Sequence, residues 1–312
     1  MRRSFADSLL ELGRSNDRVV FLTGDLGFQV FDAFCAEFPD RYINVGVAEA
    51  HLVDCAAGLA LEGWRPIIYS IASFLTGRAF EQLRLAVGYH QLPVMVVGAG
   101  GGYTYASSGV THHAKEDAAL MALVPGMTVT LPGDPDEVNG LMRQLIALDG
   151  PSYIRIGRFG EPRFACADPI QVGKGRLVRD GRKVAIVTSG SCVIQAVEAA
   201  DVLAEEGITP VICHFHTVRP LDTALLDRIA GQVGSLIVIE DHGVRGGLYA
   251  DVAAWAAAGR KEVDLHRLGP GDDMILGNPH HDELRRDLGY DGPSIAQCCR
   301  ELWHAQCFRQ LR

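Results

Sequence analysis

Residues 42–64 read Y-I-N-V-G-V-A-E-A-H-L-V-D-C-A-A-G-L-A-L-E-G-W: a short strand-like segment, a glycine, then a helix-length run dominated by Ala, Leu and Val. A strand that gives way to an apolar helix is the repeating unit of parallel sheets covered on both faces. One carboxylate, Glu49, stands at the changeover, among Val45, Val47, Ala48, Ala50, Leu52 and Val53. Desolvation in such surroundings disfavours the ionised form, so Glu49 is expected to hold or share a proton. The plainer explanation is a negative side chain in a first helical turn, where it complements the helix dipole by roughly 0.3–1 kcal/mol. What tips the balance is the company this segment keeps elsewhere in the chain.

The same alternation runs outward in both directions. Apolar strand candidates begin at Val19 (V-V-F-L-T), Pro66 (P-I-I-Y-S), Val94 (V-M-V-V), Met127 (M-T-V-T-L) and Tyr153 (Y-I-R-I). Helices fall between them: Phe80, Leu83 and Val87 share a face, as do Val138, Leu141, Leu145 and Ile146 within 137–148. From Phe164 to Lys183 the periodicity lapses and Gly, Pro and charge take over, which marks a domain junction. Beyond it come strand K-V-A-I-V-T, helix 192–206, strand P-V-I-C-H-F, helix 223–229, strand S-L-I-V-I-E, helix 247–258 and strand V-D-L-H-R-L. The pattern predicts an α/β fold of two doubly wound domains: a larger parallel-sheet domain over 1–165 and a smaller, mostly parallel one over 180–312.

Bulk composition narrows the function. At 312 residues, 48% apolar and 21% charged, the chain can bury two cores, and no apolar run approaches the ~20 residues of a membrane span. The net charge of -9, with dispersed basic residues, excludes the concentrated cationic surface that nucleic acid requires. The 8 cysteines lack the spacing of a zinc site or disulfide framework, even the adjacent Cys298 and Cys299, and read as reduced thiols of a cytoplasmic protein.

Several segments stand in an order that carries more information than any one of them: Y-S-I-A-S-F-L at 69–75, the glycine run at 98–102, S-G-V-T-H-H at 108–113, K-V-A-I-V-T-S-G-S at 183–191, H-T-V-R-P-L-D at 216–222 and V-I-E-D-H-G-V-R-G-G-L at 238–248. Together they resemble the transketolase family, its pyrimidine-binding domain followed by its C-terminal domain, across nearly the whole chain. The resemblance implies thiamine diphosphate as cofactor. It makes Glu49 the acid that binds a pyrimidine ring nitrogen and favours the cofactor's basic imino form. Phe74 becomes the ring stacked on the pyrimidine, worth about 0.5–1.5 kcal/mol beyond burial. Ile71 stands at a position that is often aromatic, and Asp25, in T-G-D-L-G, matches an aspartate near the cofactor. His112 matches the histidine facing the substrate oxygen, a task suited to imidazole. Arg158 matches an arginine that binds substrate phosphate, and Gln29 and Ser108 join the substrate side. The glycine run lacks G-x-G-x-x-G spacing and is expected as a flexible substrate-side loop. His242 and Arg245 are expected to be structural or to lie at a subunit contact.

The chain also departs from the family. Enzymes acting on sugar phosphates carry Asp at the position of Ser108 and a phosphate-facing His near Gly100, so the usual pentose phosphates are in doubt. The G-D-G sequence and later Asn that hold diphosphate and Mg2+ are missing as well, since Gly24-Asp25-Leu26 falls in the other domain type. The resemblance therefore implies a subunit with no metal ligands of its own. A separate N-terminal-half subunit would hold the diphosphate and Mg2+, in an alpha2beta2 assembly that transfers a two-carbon ketol unit between sugars. Two alternatives compete: the beta subunit of a 2-oxoacid dehydrogenase, and a non-catalytic assembly subunit, the latter disfavoured by the presence of both Glu49 and His112.

Overall fold

Apolar runs too short for helices become strands, and the longer amphipathic runs between them become the covering helices. In the computed structural model, which describes residues 1–158 and 160–309, the strands in chain order are β1 Val19–Thr23, β2 Tyr42–Asn44, β3 Arg65–Ile71, β4 Met95–Ala99, β5 Thr128–Thr130, β6 Ser152–Ile156, β7 Arg176–Arg179, β8 Lys183–Thr188, β9 Val211–His214, β10 Thr217–Arg219, β11 Val233–Ile239 and β12 Asp264–Leu268. Residues 310–312, which the sequence assigns to the second domain, lie outside the described residues. β1, β4 and β6 are buried at every position; β1 and β4 therefore read as near-continuous apolar runs rather than alternating ones, while β6 carries the buried Arg155.

The strands form a seven-stranded sheet, β10-β5-β6-β4-β3-β1-β2, and a five-stranded sheet, β12-β11-β8-β9-β7. Each is parallel except at one edge, so the expected α/β architecture holds. Both antiparallel edges are missing from the sequence pattern. β7 is R-L-V-R inside the stretch read as a junction, with two apolar residues and no periodicity to detect. β10 is three residues long and ends before Pro220. It follows the second unit's strand β9, yet it closes the edge of the first sheet, with Thr217 opposite Thr130 and the Leu131 N–H donating to the His216 carbonyl at 2.7 Å. The two units also share apolar packing, since one cluster runs from Val20, Leu52 and Ile68 through Val129 and Tyr153 to Ala185, Phe215 and Leu236.

Two local readings are corrected. Leu83 and Val87 are buried as their spacing predicts, but Leu83–Tyr89 winds as a π-helix, a change of pitch that an apolar pattern cannot reveal. The glycine run is not a flexible loop. Gly98 lies within β4, and Gly100, Gly101 and Gly102 are buried. A Cβ at Gly101 would collide with the Arg155 side chain, and one at Gly102 with the Asp241 carboxylate. Gly102 lets the backbone approach the second domain, where the Tyr103 N–H lies 3.3 Å from both Asp241 carboxylate oxygens. Gly102 also has φ +57°. Gly102→Ala is expected to cost about 2–4 kcal/mol through overpacking and strain, read as a lowered urea midpoint at constant m-value. A loss below about 0.5 kcal/mol, the range of ordinary surface changes, would contradict this account.

Buried charge ties the units together. Arg155, at the end of β6, donates through Nη1 to Asp117 at 3.1 Å and to the Asp241 carbonyl at 3.3 Å. Burial raises the Asp241 carboxyl, but His281, Arg285 and Arg155 outweigh it and hold it at about 2. The seven described cysteines are unpaired thiols. Among the described residues no helix is long and apolar enough to cross a membrane.

Candidate active site

Glu49 is the first residue of the helix Glu49–Leu61 and is 4% exposed. The tight turn before it depends on Gly46 at φ +75°, with the Ala48 N–H donating to the Gly46 carbonyl at 2.8 Å. No side chain caps this helix at Ala48, so the carboxylate itself stands at the positive end of the dipole. Asn44 braces the turn: its Oδ1 accepts from the N–H groups of Gly46 at 3.0 Å and Asp25 at 2.9 Å, and its amide donates to Asp25 Oδ1 at 3.1 Å. Asp25, at φ +58°, is thereby fastened to the segment that presents Glu49. Gln29, at φ +62°, lies exposed in the same loop.

The environment of Glu49 differs from the wholly apolar shell expected. Val47 is 73% exposed rather than packed around the carboxylate. On another side stands a cation, Arg78, whose Nη1 lies 3.3 Å from Glu49 Oε2. Sequence reasoning missed Arg78. The available signal was its spacing, because Phe74 and Arg78 are four apart on the helix Ala72–Arg78 and so share a face. The guanidinium carbon indeed sits 4.3 Å from the Phe74 ring centroid.

From Phe74 the contacts continue. Its ring meets His112 edge-on, with centroids 4.9 Å apart at 64°, and Tyr105 lies 6.0 Å from the same imidazole. Arg158 sits over Tyr105 at 4.8 Å. The turn carrying His112 is pinned by the Ser73 hydroxyl, which donates to the Thr111 carbonyl at 3.1 Å, and Thr111 Oγ1 is 2.9 Å from His112 Nδ1. Burial, then Arg158, then Arg78 lower the His112 pKa, so the imidazole is neutral at neutral pH. His113 turns the other way, buried with its ring 4.8 Å from Tyr103.

The structure thus joins Glu49, Phe74, His112 and Arg158 into one line of contacts, with Arg78 and Tyr105 as the links. Ile71 caps the Phe74 helix and is half-buried. Ser108 is exposed in the turn Ala106–Ser108, on the approach to His112. Asp25 and Gln29 stay on the neighbouring loop, Asp25 tied through Asn44 to Gly46 in the turn before Glu49. His242 is buried away from this group, with Nε2 accepting from the Ala119 N–H at 3.3 Å. Among the described residues no group of three His, Cys, Asp or Glu side chains could hold a metal ion.

Large apolar side chains surround the site in the open. Phe28 is 84% exposed on the Asp25 loop, Val47 stands beside Glu49, and Val110 is 40% exposed beside His112. Exposed apolar groups on three segments that flank one buried carboxylate mark a surface that another molecule completes. The arrangement can hold a flat nitrogen heterocycle between an aromatic face and a carboxylate, with a neutral imidazole beside it.

Comparison with known proteins agrees with this geometry. The family model described as the transketolase pyrimidine binding domain matches residues 1–159, and that of the transketolase C-terminal domain matches residues 173–295. A 6-deoxy-6-sulfo-D-fructose transketolase subunit from Clostridium sp. (strain MSTE9) is 35% identical over 314 residues, covering 99% of this chain and 96% of that protein. A 1-deoxy-D-xylulose-5-phosphate synthase from Geobacter sulfurreducens is 35% identical over 94% of this chain, which spans only 46% of the synthase. Among solved structures, a split gene transketolase described as an inactive beta4 tetramer superposes with a TM-score of 0.88 at 31% identity, covering 96% of this chain and 97% of that one.

Proposed function

The chain belongs to the transketolase family, and on that basis we propose that it is one subunit of a two-chain, thiamine diphosphate-dependent transferase that moves a two-carbon ketol unit between sugars. Residues 1–165 are its pyrimidine-binding domain and 180–312 its C-terminal domain. The observation that carries the reading is a nearly buried carboxylate, Glu49, linked through Arg78 to the Phe74 ring and a neutral imidazole, on a surface rimmed by exposed apolar side chains.

The residues fit the pyrimidine end of the cofactor. Glu49 would hydrogen-bond the ring nitrogen, Phe74 and Ile71 would pack against the ring, and Asp25 would stand at the edge of the pocket. When bound, thiamine diphosphate supplies the nucleophilic carbon that cleaves a ketose and hands two carbons to an aldose. Neutral His112 can donate a hydrogen bond to a sugar oxygen and take back a proton, and Arg158 offers a fixed charge to an anionic sugar group. Gln29 and Ser108 complete the substrate side. The residues do not fit the other end of the cofactor, since the chain lacks G-D-G and the later Asn. Diphosphate and Mg2+ are therefore assigned to a separate N-terminal-half subunit, in an alpha2beta2 heterotetramer serving cytoplasmic carbohydrate metabolism. Two observations about relatives support that division: one covers twice this length in a single chain, and the beta-only tetramer is described as inactive.

The test is reconstitution with a chain carrying the missing motif. Neither chain alone is expected to turn over a ketose donor with an aldose acceptor, phosphorylated or not. The mixture should do so, in dependence on thiamine diphosphate and Mg2+. Tight cofactor binding and turnover by this chain alone would refute the split site. Pyruvate-dependent release of carbon dioxide would point instead to a 2-oxoacid dehydrogenase subunit.

A further inference from the structure

Two groups at this site are placed to recognise a flat heterocycle, the face of Phe74 and the carboxylate of Glu49, and one side chain of the protein already engages both. Arg78 brings Nη1 to 3.3 Å from Glu49 Oε2 and its guanidinium carbon to 4.3 Å from the Phe74 centroid. A guanidinium is planar, edged with N–H donors, and stacks on aromatic faces while it hydrogen-bonds carboxylates. A 4-aminopyrimidine can make the same stack and meet the same carboxyl group, its ring nitrogen accepting the proton that Glu49 carries in that state. We propose that Arg78 is a placeholder for the ring: in the chain by itself its guanidinium stands where the heterocycle lies, and it swings out when the heterocycle enters. This rests on the assignment of Glu49 and Phe74 to the ring site.

A placeholder has to compensate the buried carboxylate and still leave readily. Arg78 meets both conditions. Its side chain is 56% exposed, whereas that of Glu49 is 4% exposed, so the cation can retire into solvent while the carboxylate stays. The contact is single and long rather than a bidentate fork, which is the weak form of the arginine–carboxylate pair. The stacking face it vacates is also the face the ring needs. A competitor that fills the seat about nine-tenths of the time weakens apparent ring affinity roughly tenfold without altering the intrinsic contacts.

The probe is 4-amino-5-hydroxymethyl-2-methylpyrimidine, titrated into the full chain and followed by calorimetry and by tryptophan-independent NMR line shifts. Arg78→Met keeps length and apolar bulk but removes the planar cation, and is expected to tighten the fragment roughly tenfold. Arg78→Lys keeps charge without the plane and should fall between. Raising salt from low to moderate ionic strength should tighten binding to the native chain, by screening the exposed pair, and leave Arg78→Met nearly unchanged. An affinity for Arg78→Met equal to or weaker than native, or no saturable binding to it at millimolar fragment, overturns the placeholder. The ring site itself is judged separately by Glu49→Gln in the Arg78→Met background. If that change weakens the fragment while Arg78→Met alone does not tighten it, only the placeholder fails; if Glu49→Gln has no effect, the site assignment fails.

Discussion

Replacing Glu49 by Gln in the assembled two-chain enzyme is expected to lower kcat by roughly 10³-fold while fold and assembly survive. The amide has the volume of the carboxyl group, so the packing around position 49 is conserved. What it lacks is the acid function that this site offers to a ring nitrogen. The structural cost is small on two counts. Loss of a negative charge at the first turn of Glu49–Leu61 removes a dipole interaction of about 0.3–1 kcal/mol. The Arg78 it leaves behind is more than half exposed, so it returns to water instead of being stranded. Steady-state kinetics, a melting curve and sedimentation of the complex check the three parts together. A kcat within tenfold of native would revive the non-catalytic assembly subunit.

How much of this was readable beforehand depends on the range of the interaction. Strands β1 and β4 announce themselves because burial on both faces writes a near-continuous apolar run into the sequence, and β3 and β6 do so through their apolar centres. β7 and β10 do not, because an edge strand of three or four residues is specified by its partner and not by its own composition. Glu49 was visible as a charge out of place in an apolar segment. Its ion pair with Arg78 was not, since residues 49 and 78 meet only after β3 has been laid between their helices. The glycines at 100–102 show the converse error. Glycine was read as freedom, whereas here it is the absence of a side chain where Arg155 and Asp241 must pass. Which side chain a missing Cβ makes room for is a tertiary fact, and at Gly102 the second domain supplies it.

Glu137→Ala is expected to destabilise the chain by about 3–5 kcal/mol, the largest effect of any single truncation considered for the fold. Glu137, on the helix Pro135–Leu145, is fully buried where the two units meet. It accepts from Arg176 Nη1 at 2.7 Å and the Gly133 N–H at 2.7 Å, and its Oε2 lies 2.9 Å from His214 Nε2. Arg176 comes from β7 and His214 from β9, so one carboxylate gathers three segments. Removing it leaves a buried guanidinium without its anion, which costs more than the lost hydrogen bonds. The same cluster sets the acid limit of stability. Burial, with help from His214 and Arg176 and against the pull of Glu137, lowers the His216 pKa from 6.5 to about 4. The unfolded chain therefore binds a proton that the folded chain refuses, and about 3 kcal/mol of stability is lost as pH falls from 6.5 towards 4. For Glu137 itself burial acts upward, but His214 and the Gly133 N–H prevail and hold it at about 2. Its contribution is whole above pH 4.5, the ordinary value, and disappears as pH falls through about 2. Urea midpoints measured across pH 3 to 7 should accordingly show a native curve that declines in two stages. His216→Gln should flatten the upper stage alone, and Glu137→Gln should reduce the lower one, which Asp241, also held at about 2, shares. A native midpoint unchanged between pH 6.5 and 4.5 would mean that His216 is not held neutral in the fold.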